Sequence, residues 1–531
     1  MTAEQIYFNA NVLTQDRSIP VASAFAVADG KIIASGQDEA LLRLQNGQSR
    51  LIDLQGATVL PGFNDAHIHI WKVGNLMTYL LDLRGTKSID EMKQRLADYA
   101  KSNPGLPWIQ ARGFNEILFP DRRMPSRLDL DEVISDRPVS VMRTCAHQLI
   151  VNSAALQAAG ITKQTRVPPG GEMKLLPDGS LAGHFTETAL GLIARKIPPY
   201  HPDQYRKMIL AAQEELLKAG ITSATDPAVM PDLLEVYKSM DRNGELKIRV
   251  NAIPILLPDG ASGALPLPDL YHSAYLKVDT VKFFADGGLS GKTAALKHHY
   301  RNTNEYGLLR LDQVSFLTLA CKAQSAGFRI ATHAIGDAAI DLVLEVYNEI
   351  AKDNIQQVHH RIEHLGLPSP ANLRMMHSLQ VSAVMQPVFI YELGKNFRQY
   401  LPDIYLDDVY PARSVLNHAV NLAFSTDAPV VKDFNPITGL IAANSRMDGD
   451  GIVLGASQRI SMDESIYAYT MGSALANGDQ ENRGSITCGK SADFIVLDKN
   501  ISKVPVRELQ TCRVLQAFVN GNCQFSLNDA R

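Results

Sequence analysis

Cysteine is scarce in this chain, and its spacing is uninformative. Five residues in 531, Cys145, Cys321, Cys488, Cys512 and Cys523, include no C-x-x-C arrangement. That excludes a disulfide framework and a cysteine-rich zinc knuckle, and it fits a reducing compartment. No run of eighteen apolar residues occurs, so no spanning helix is expected. The first residues, Met1-Thr2-Ala3-Glu4-Gln5-Ile6, have neither the basic start nor the apolar stretch of a secretory signal, so a cytoplasmic location is expected. Excess charge of one sign is missing too. A formal net charge of −4 gives no electrostatic ground for a nucleic acid or an anionic membrane as partner. Short basic pairs such as Arg122-Arg123 read as solvated loop charges.

What is present is an ordinary globular composition, 45% hydrophobic and 20% charged, on a chain too long for one simple core. From about Ala211 to Pro429, short apolar runs alternate with stretches of helical period, the pattern of parallel strands with crossover helices. Residues 203–219 place Tyr205, Met208, Ile209, Ala212, Leu216 and Leu217 on one helical face and stop at Gly220. Strands are predicted at 221–225, 248–256, 280–285, 328–332, 360–363, 381–385 and 421–425. Helices are predicted at 312–326, 337–351, 371–379 and 412–419. With the strand that leads into His67 there are eight, the number that closes a (β/α)8 TIM barrel; an open doubly wound sheet is the alternative on pattern alone.

Two regions lie outside this alternation. The first sixty residues read as short strands, with Asp29-Gly30 between two apolar runs as a hairpin requires, and the stretch from Gly484 looks alike. Neither end makes a good core alone. Residues 1–60 and 484–531 are therefore expected to form one small composite β-sandwich domain, with the barrel domain spanning 61–483. Residues 83–200 separate strand 1 from strand 2, are too long for a plain connection, and contain Trp108, Phe114 and Phe119. They are expected to fold as an insertion or lid within the barrel domain.

Chemistry concentrates at the strand ends. His67 and His69 stand one residue apart after an apolar run; on a strand, alternate side chains share a face, so both imidazoles could reach one point. In a chain with fourteen histidines the pair alone means little. The other strand ends change this. Lys282 lies in strand 4, His333 ends strand 5, His364 ends strand 6 and Asp427 follows strand 8, and such ends converge on one site in a barrel. Histidine and aspartate are N and O donors for zinc, manganese or iron. Lys282 is different, because an amine in an apolar strand is pushed toward its neutral form. A neutral amine can react with carbon dioxide to give a carbamate, an anion able to bridge two metals; the alternative is a lysine paired with Asp286 or another carboxylate.

The stretches Leu60-Pro61-Gly62-Phe63-Asn64-Asp65-Ala66-His67-Ile68-His69, Val281 to Gly287, Thr332-His333-Ala334-Ile335-Gly336-Asp337, Arg361-Ile362-Glu363-His364 and Ser425-Thr426-Asp427-Ala428-Pro429 resemble the amidohydrolase superfamily. More narrowly they resemble its family 3 branch, which includes N-substituted formamide deformylase. Inside the insertion, Arg137-Pro138-Val139, His147 and Asn152-Ser153-Ala154-Ala155-Leu156 look like that branch, as does Gly489-Lys490-Ser491-Ala492-Asp493-Phe494 near the C-terminus. The resemblance implies that His67, His69 and Asp427 hold one divalent metal and that His333 and His364 hold a second. It further implies that carboxylated Lys282 bridges the two, with zinc first and manganese or iron as alternatives. A metal-activated hydroxide would then attack a C–N bond of amide, N-acyl or N-formyl type in a small molecule, and Asp427 is the candidate proton carrier. Trp71 and His147 are candidate substrate contacts, against core packing and a structural hydrogen bond respectively. A homo-oligomer is expected from resemblance alone.

Other signals are weaker. His360-Arg361-Ile362-Glu363-His364 matches H-x-x-E-H, but that peptidase pattern needs a helix, and Pro368 and Pro370 follow closely. His359 and His360 read as turn residues, and His298 and His299 as an exposed loop. Residues 286–293 miss a phosphate-binding loop because Asp286 replaces its first glycine. Two competing functions remain: hydrolytic deamination of a ring, and a non-catalytic regulatory protein on the same fold. Deaminases of the superfamily carry a glutamate three residues after the strand 5 histidine, where this chain has Gly336.

Overall fold

A computed structural model of the chain describes residues 2–143, 148–168, 171–186, 189–258, 263–352 and 359–527. It divides into two units, residues 1–70 with 212–531, and residues 71–211. No helix among the described residues is long and apolar enough to cross a membrane.

In the first unit eight strands run parallel in chain order: β1 (Phe63–Asp65), β2 (Ile221–Val229), β3 (Arg249–Pro254), β4 (Thr280–Phe284), β5 (Arg329–Ala334), β6 (Arg361–His364), β7 (Ser382–Met385) and β8 (Leu422–Phe424). They occur as two sheets joined at both seams. Leu256 N donates to Lys282 O at 3.2 Å between β3 and β4, and Ala66 N donates to Phe424 O at 3.1 Å, linking the chain beyond β1 to β8. Nearly all residues of these strands are buried, as strands covered on both faces require.

Local chemistry accounts for the crossovers. Asp312 caps the helix Gln313–Ser325 by accepting from Ser315 N at 2.8 Å, and Gly327, at φ 85°, turns the chain into β5. Ser369 and Asn372 form a capping box on Pro370–Ser378. The helix Pro202–Lys218 stops before Gly220, whose φ of 80° suits only glycine, and β2 follows at once. Among the helices not anticipated are Pro231–Arg242 and Val388–Tyr400. The first carries its own start signal, proline at the first helical position. β2 also runs four residues past its predicted end, to Val229.

The two chain ends meet in one six-stranded sheet, where Phe494–Leu497 pairs antiparallel with Thr58–Pro61. A four-stranded sheet holds Gln5–Phe8, Ala24–Ala28, Lys31–Gly36 and Arg50–Asp53, and its hairpin turns at Asp29 and Gly30, with φ of 49° and 69°. Tyr7 and Phe25 of the four-stranded sheet pack against Phe494 and Phe518 of the six-stranded one, so the two sheets share one aromatic core.

The second unit begins at Trp71 and ends at Ala211, wider at both ends than the expected 83–200. It holds a six-stranded sheet from Leu80–Asp82 to Leu181–Thr186 and the helix Ile89–Ser102, with Trp108, Phe114 and Phe119 buried. Its extra residues form an aromatic group: the Trp71 ring meets Tyr200 at 6.1 Å and Tyr205 at 5.4 Å, edge-on.

Candidate active site

β1 stops at Asp65, so His67 and His69 lie in the bend after the strand rather than on it. Their convergence comes from how that bend is tied down. The buried carboxylate of Asp65 accepts from Thr426 Oγ1 at 2.6 Å and from the amides of His67 and Thr426 at 3.1 and 3.2 Å. Asp427 N donates to His67 O at 2.8 Å, and His69 N donates to Ala428 O at 2.9 Å. The segments after β1 and β8 are thus laced together. As a result Nε2 of His67 and Nε2 of His69 each lie 3.4 Å from Oδ1 of Asp427, and the three ligand atoms lie within 4.8 Å of one another. Bonds of 2.0–2.1 Å at the tetrahedral angle set neighbouring donors about 3.4 Å apart, so both contacts to the carboxylate suit a shared metal.

Three of the four candidate rings are held by a polar contact at one nitrogen, the arrangement that fixes a tautomer. Nδ1 of His67 meets the Glu363 carboxylate, which in turn takes the Arg361 guanidinium. Nδ1 of His364 pairs with Gln386 Oε1 at 2.8 Å, and Gln386 donates to Ser425 Oγ at 2.8 Å. His333 is turned the other way, with Nε2 3.1 Å from Gly287 O and 3.3 Å from Asp286 Oδ1, which leaves Nδ1 as its free donor atom. Nδ1 of His69 lies 4.0 Å from Asp226 Oδ1. The His333 and His364 ring centroids are 4.5 Å apart, and those of His67 and His364 are 4.8 Å apart.

His67, His69, His333, His364 and Asp427 line one cavity of about 220 Å³. Its other walls are Phe284, Gly288, Leu289, Ser290, Ile335, Phe389, Leu393, Phe397, Tyr410 and Val430, without a lysine or arginine. Lys282 is fully buried, and its amine has no hydrogen-bond partner among the described residues. The expected alternative, a pair with Asp286, does not form. The Asp286 carboxylate instead accepts from the amides of Ala295, Ile335 and Gly336 at 3.0, 3.0 and 2.8 Å. Burial pushes the Lys282 amine down to about 8, against the opposing charge of Glu363. Burial also lowers His364 well below its usual range, with His333 and His67 adding to the effect. For Asp427 burial acts upward, but hydrogen bonds from His67 and His69 prevail and hold it well below the usual carboxylate range.

Trp71 stands in the second unit, with its ring against Tyr200 and Tyr205, and His147 lies outside the described residues. His298 and His299 are exposed, as expected of a loop. His360 is not a turn residue: it is buried, and its Nδ1 accepts from Ile330 N at 3.2 Å, a structural bond between β5 and β6. Sequence reasoning passed over Asp65, Asp226, Asp286, Glu363 and Gln386. The signal available was position, since Asp226 and Gln386 stand near the ends of β2 and β7, the same level from which the ligand candidates came.

A family model described as amidohydrolase family matches residues 50–525. Protein LONG AFTER FAR-RED 3 of Arabidopsis thaliana is 28% identical over 518 residues, covering 94% of this chain and 88% of its own. N-substituted formamide deformylase of Arthrobacter pascens is 25% identical over 531 residues, covering 97% and 96%. Among solved structures, an uncharacterized metal-dependent hydrolase from Pyrococcus horikoshii aligns with a TM-score of 0.80 at 26% identity, covering 95% of this chain and 99% of that one.

Proposed function

The chain belongs to the amidohydrolase family, and from that premise we propose that it is a metal-dependent hydrolase that cleaves the C–N bond of a small N-acyl or N-formyl amide. The reading takes the ring of eight parallel strands as a (β/α)8 barrel, the paired chain ends as a β-sandwich, and residues 71–211 as the insertion after strand 1. The observation that carries it is the donor set: five residues with N and O donors line one cavity, and a buried lysine amine stacked over the cavity-lining Phe284 ring has no hydrogen-bond partner among the described residues. An orphaned buried amine is costly unless something completes it, and a carbamate with two cations would do so.

On this reading His67, His69 and Asp427 would hold one ion, His333 and His364 would hold a second, and Lys282, if carboxylated, would supply a further anionic donor. Divalent ions there, zinc or else manganese or iron, would supply an acidified water and a polarised carbonyl. Asp427 is the one carboxylate in the cavity lining, and its low pKa keeps it ionised, so it can take a proton from water and deliver it to the leaving nitrogen. Glu363 and Gln386 hold the His67 and His364 rings. Phe284, Leu289, Ile335, Phe389 and Phe397 exclude bulk water and favour a neutral substrate with an apolar substituent.

The ring-deaminase alternative needs a carboxylate side chain at position 336. A Cβ on Gly336 would stand 1.9 Å from Ala295 O, so the fold leaves no room for one. The regulatory alternative is disfavoured by the complete donor set, which a non-catalytic descendant has no reason to keep. The test is a panel of N-acyl, N-formyl, lactam and ring-amine compounds assayed with zinc or manganese, scored for amine against ammonia release, beside metal analysis. Amine release with close to two metal equivalents per chain is expected. Ammonia from ring amines alone, or full activity with one equivalent, would overturn the respective part.

A further inference from the structure

Tyr410 is a bulky residue in left-handed backbone, φ 50°. Such a conformation costs about 1–3 kcal/mol and persists only where the surroundings enforce it. Here they do. Its N–H donates to Gly366 O at 2.7 Å, and its carbonyl accepts from Arg446 Nη1 at 2.7 Å. Arg446 also donates from Nη2 to Val409 O at 2.7 Å and from Nε to Leu454 O at 2.8 Å. A buried arginine thus directs all three of its donor nitrogens to backbone carbonyls around this one turn. The Tyr410 ring is held by Phe389, edge-on at 5.7 Å, and by Phe397 at 5.6 Å.

This arrangement fixes a side chain that is 3% exposed and lines the cavity beside the histidines and Asp427. Its hydroxyl makes no hydrogen bond to any described residue. Other buried tyrosines of this unit do satisfy theirs: Tyr237 on Asp226, Tyr300 on Ala294 O, Tyr347 on Arg361 O and Tyr405 on Asp337. A buried phenol normally finds a partner, so the unmet donor at Tyr410 belongs to whatever enters the cavity. A phenol with an ordinary pKa of about 10 is protonated near neutral pH, so it is a donor there and not a base. Apart from the ligand candidates, Ser290 and Tyr410 are the polar side chains that the described residues bring to the lining, and Ser290 sits on an irregular stretch.

We propose that Tyr410 is a catalytic residue that donates a hydrogen bond to the carbonyl oxygen of the bound amide as negative charge gathers there, and that Arg446 is its positioning residue. The inference rests on the hydrolase reading above. Tyr410→Phe keeps the ring and its packing and removes only the donor. In the metal-loaded enzyme, acting on an amide from the panel that the parent hydrolyses, kcat should fall about 100- to 1000-fold, the scale of one lost donor to a developing oxyanion. KM should change less than about threefold, because the bond matters in the transition state. A phosphonamidate analogue of the same amide should bind Tyr410→Phe more weakly by a similar factor, with metal content and thermal midpoint unchanged. A parent-like kcat in Tyr410→Phe, or a raised KM at unchanged kcat, would overturn the proposal while the hydrolase reading stands. A parent inert on the whole panel would overturn both.

Discussion

Replacing Glu363 by glutamine barely changes volume, yet it should act in two places. Glu363 is fully buried, accepts from Arg361 Nε at 2.5 Å and Nη2 at 3.1 Å, and meets Nδ1 of His67. Burial opposes its charge, but Arg361, followed by Lys282 and His67, holds it well below the usual range. Without that charge the Arg361 guanidinium, itself 1% exposed, keeps Ala66 O, Asn477 Oδ1 and one bond to the amide oxygen, with no carboxylate against it. Breaking one side of a buried pair costs about 3–5 kcal/mol; the amide oxygen still accepts one bond, so the low end, about 3 kcal/mol, is expected. The second effect is at His67. Losing the carboxylate behind a metal-ligand histidine weakens metal binding about 10- to 100-fold. The two separate in Arg361→Met/Glu363→Gln, which removes both charges: stability should largely return and metal affinity should not. Urea midpoints of the metal-stripped protein read the first, and chelator competition for zinc reads the second. Parental zinc affinity in Glu363→Gln would refute the orienting role. Recovery of affinity along with stability in the double variant would reduce it to a folding defect.

Asp427→Asn removes the one carboxylate of the cavity lining; turnover should fall by about 100- to 10,000-fold with an unchanged circular dichroism spectrum, and retained activity would end its role as proton carrier. With the Lys282 amine near 8, the neutral, carbon dioxide-reactive fraction rises from about a tenth at pH 7 to about nine-tenths at pH 9. At a fixed concentration of dissolved carbon dioxide, reactivation of stripped protein by zinc should therefore be roughly tenfold faster at pH 9, and a rate flat across that window would contradict the carbamate. Gly336→Ala places a methyl 1.9 Å from Ala295 O. Overpacking of about 1–3 kcal/mol should lower the thermal midpoint, and no change would mean that the loop after β5 yields freely.

The ligand candidates were legible because metal binding demands uncommon residue types at positions set by a single strand. His333 lies within β5, His364 ends β6 and Asp427 follows β8, so strand prediction alone places them at one level. The Asp29-Gly30 hairpin was legible for the same local reason. The residues behind the ligands were not. Glu363 reaches His67 across 296 positions of sequence, and Gln386 reaches His364 across 22, so their roles exist only once the strands are in register. Asp226 escaped because β2 was ended at Thr225, four residues short of its observed end at Val229, which left Asp226 just outside the predicted strand.

Which ring nitrogen faces the cavity was still further from view. Glu363 and Gln386 occupy Nδ1 of His67 and His364 and leave Nε2 to the cavity, whereas Gly287 O and Asp286 occupy Nε2 of His333 and leave Nδ1. One residue type therefore donates from two different atoms. Exchanging the residues that hold the two rings would unmake the site without altering a single ligand.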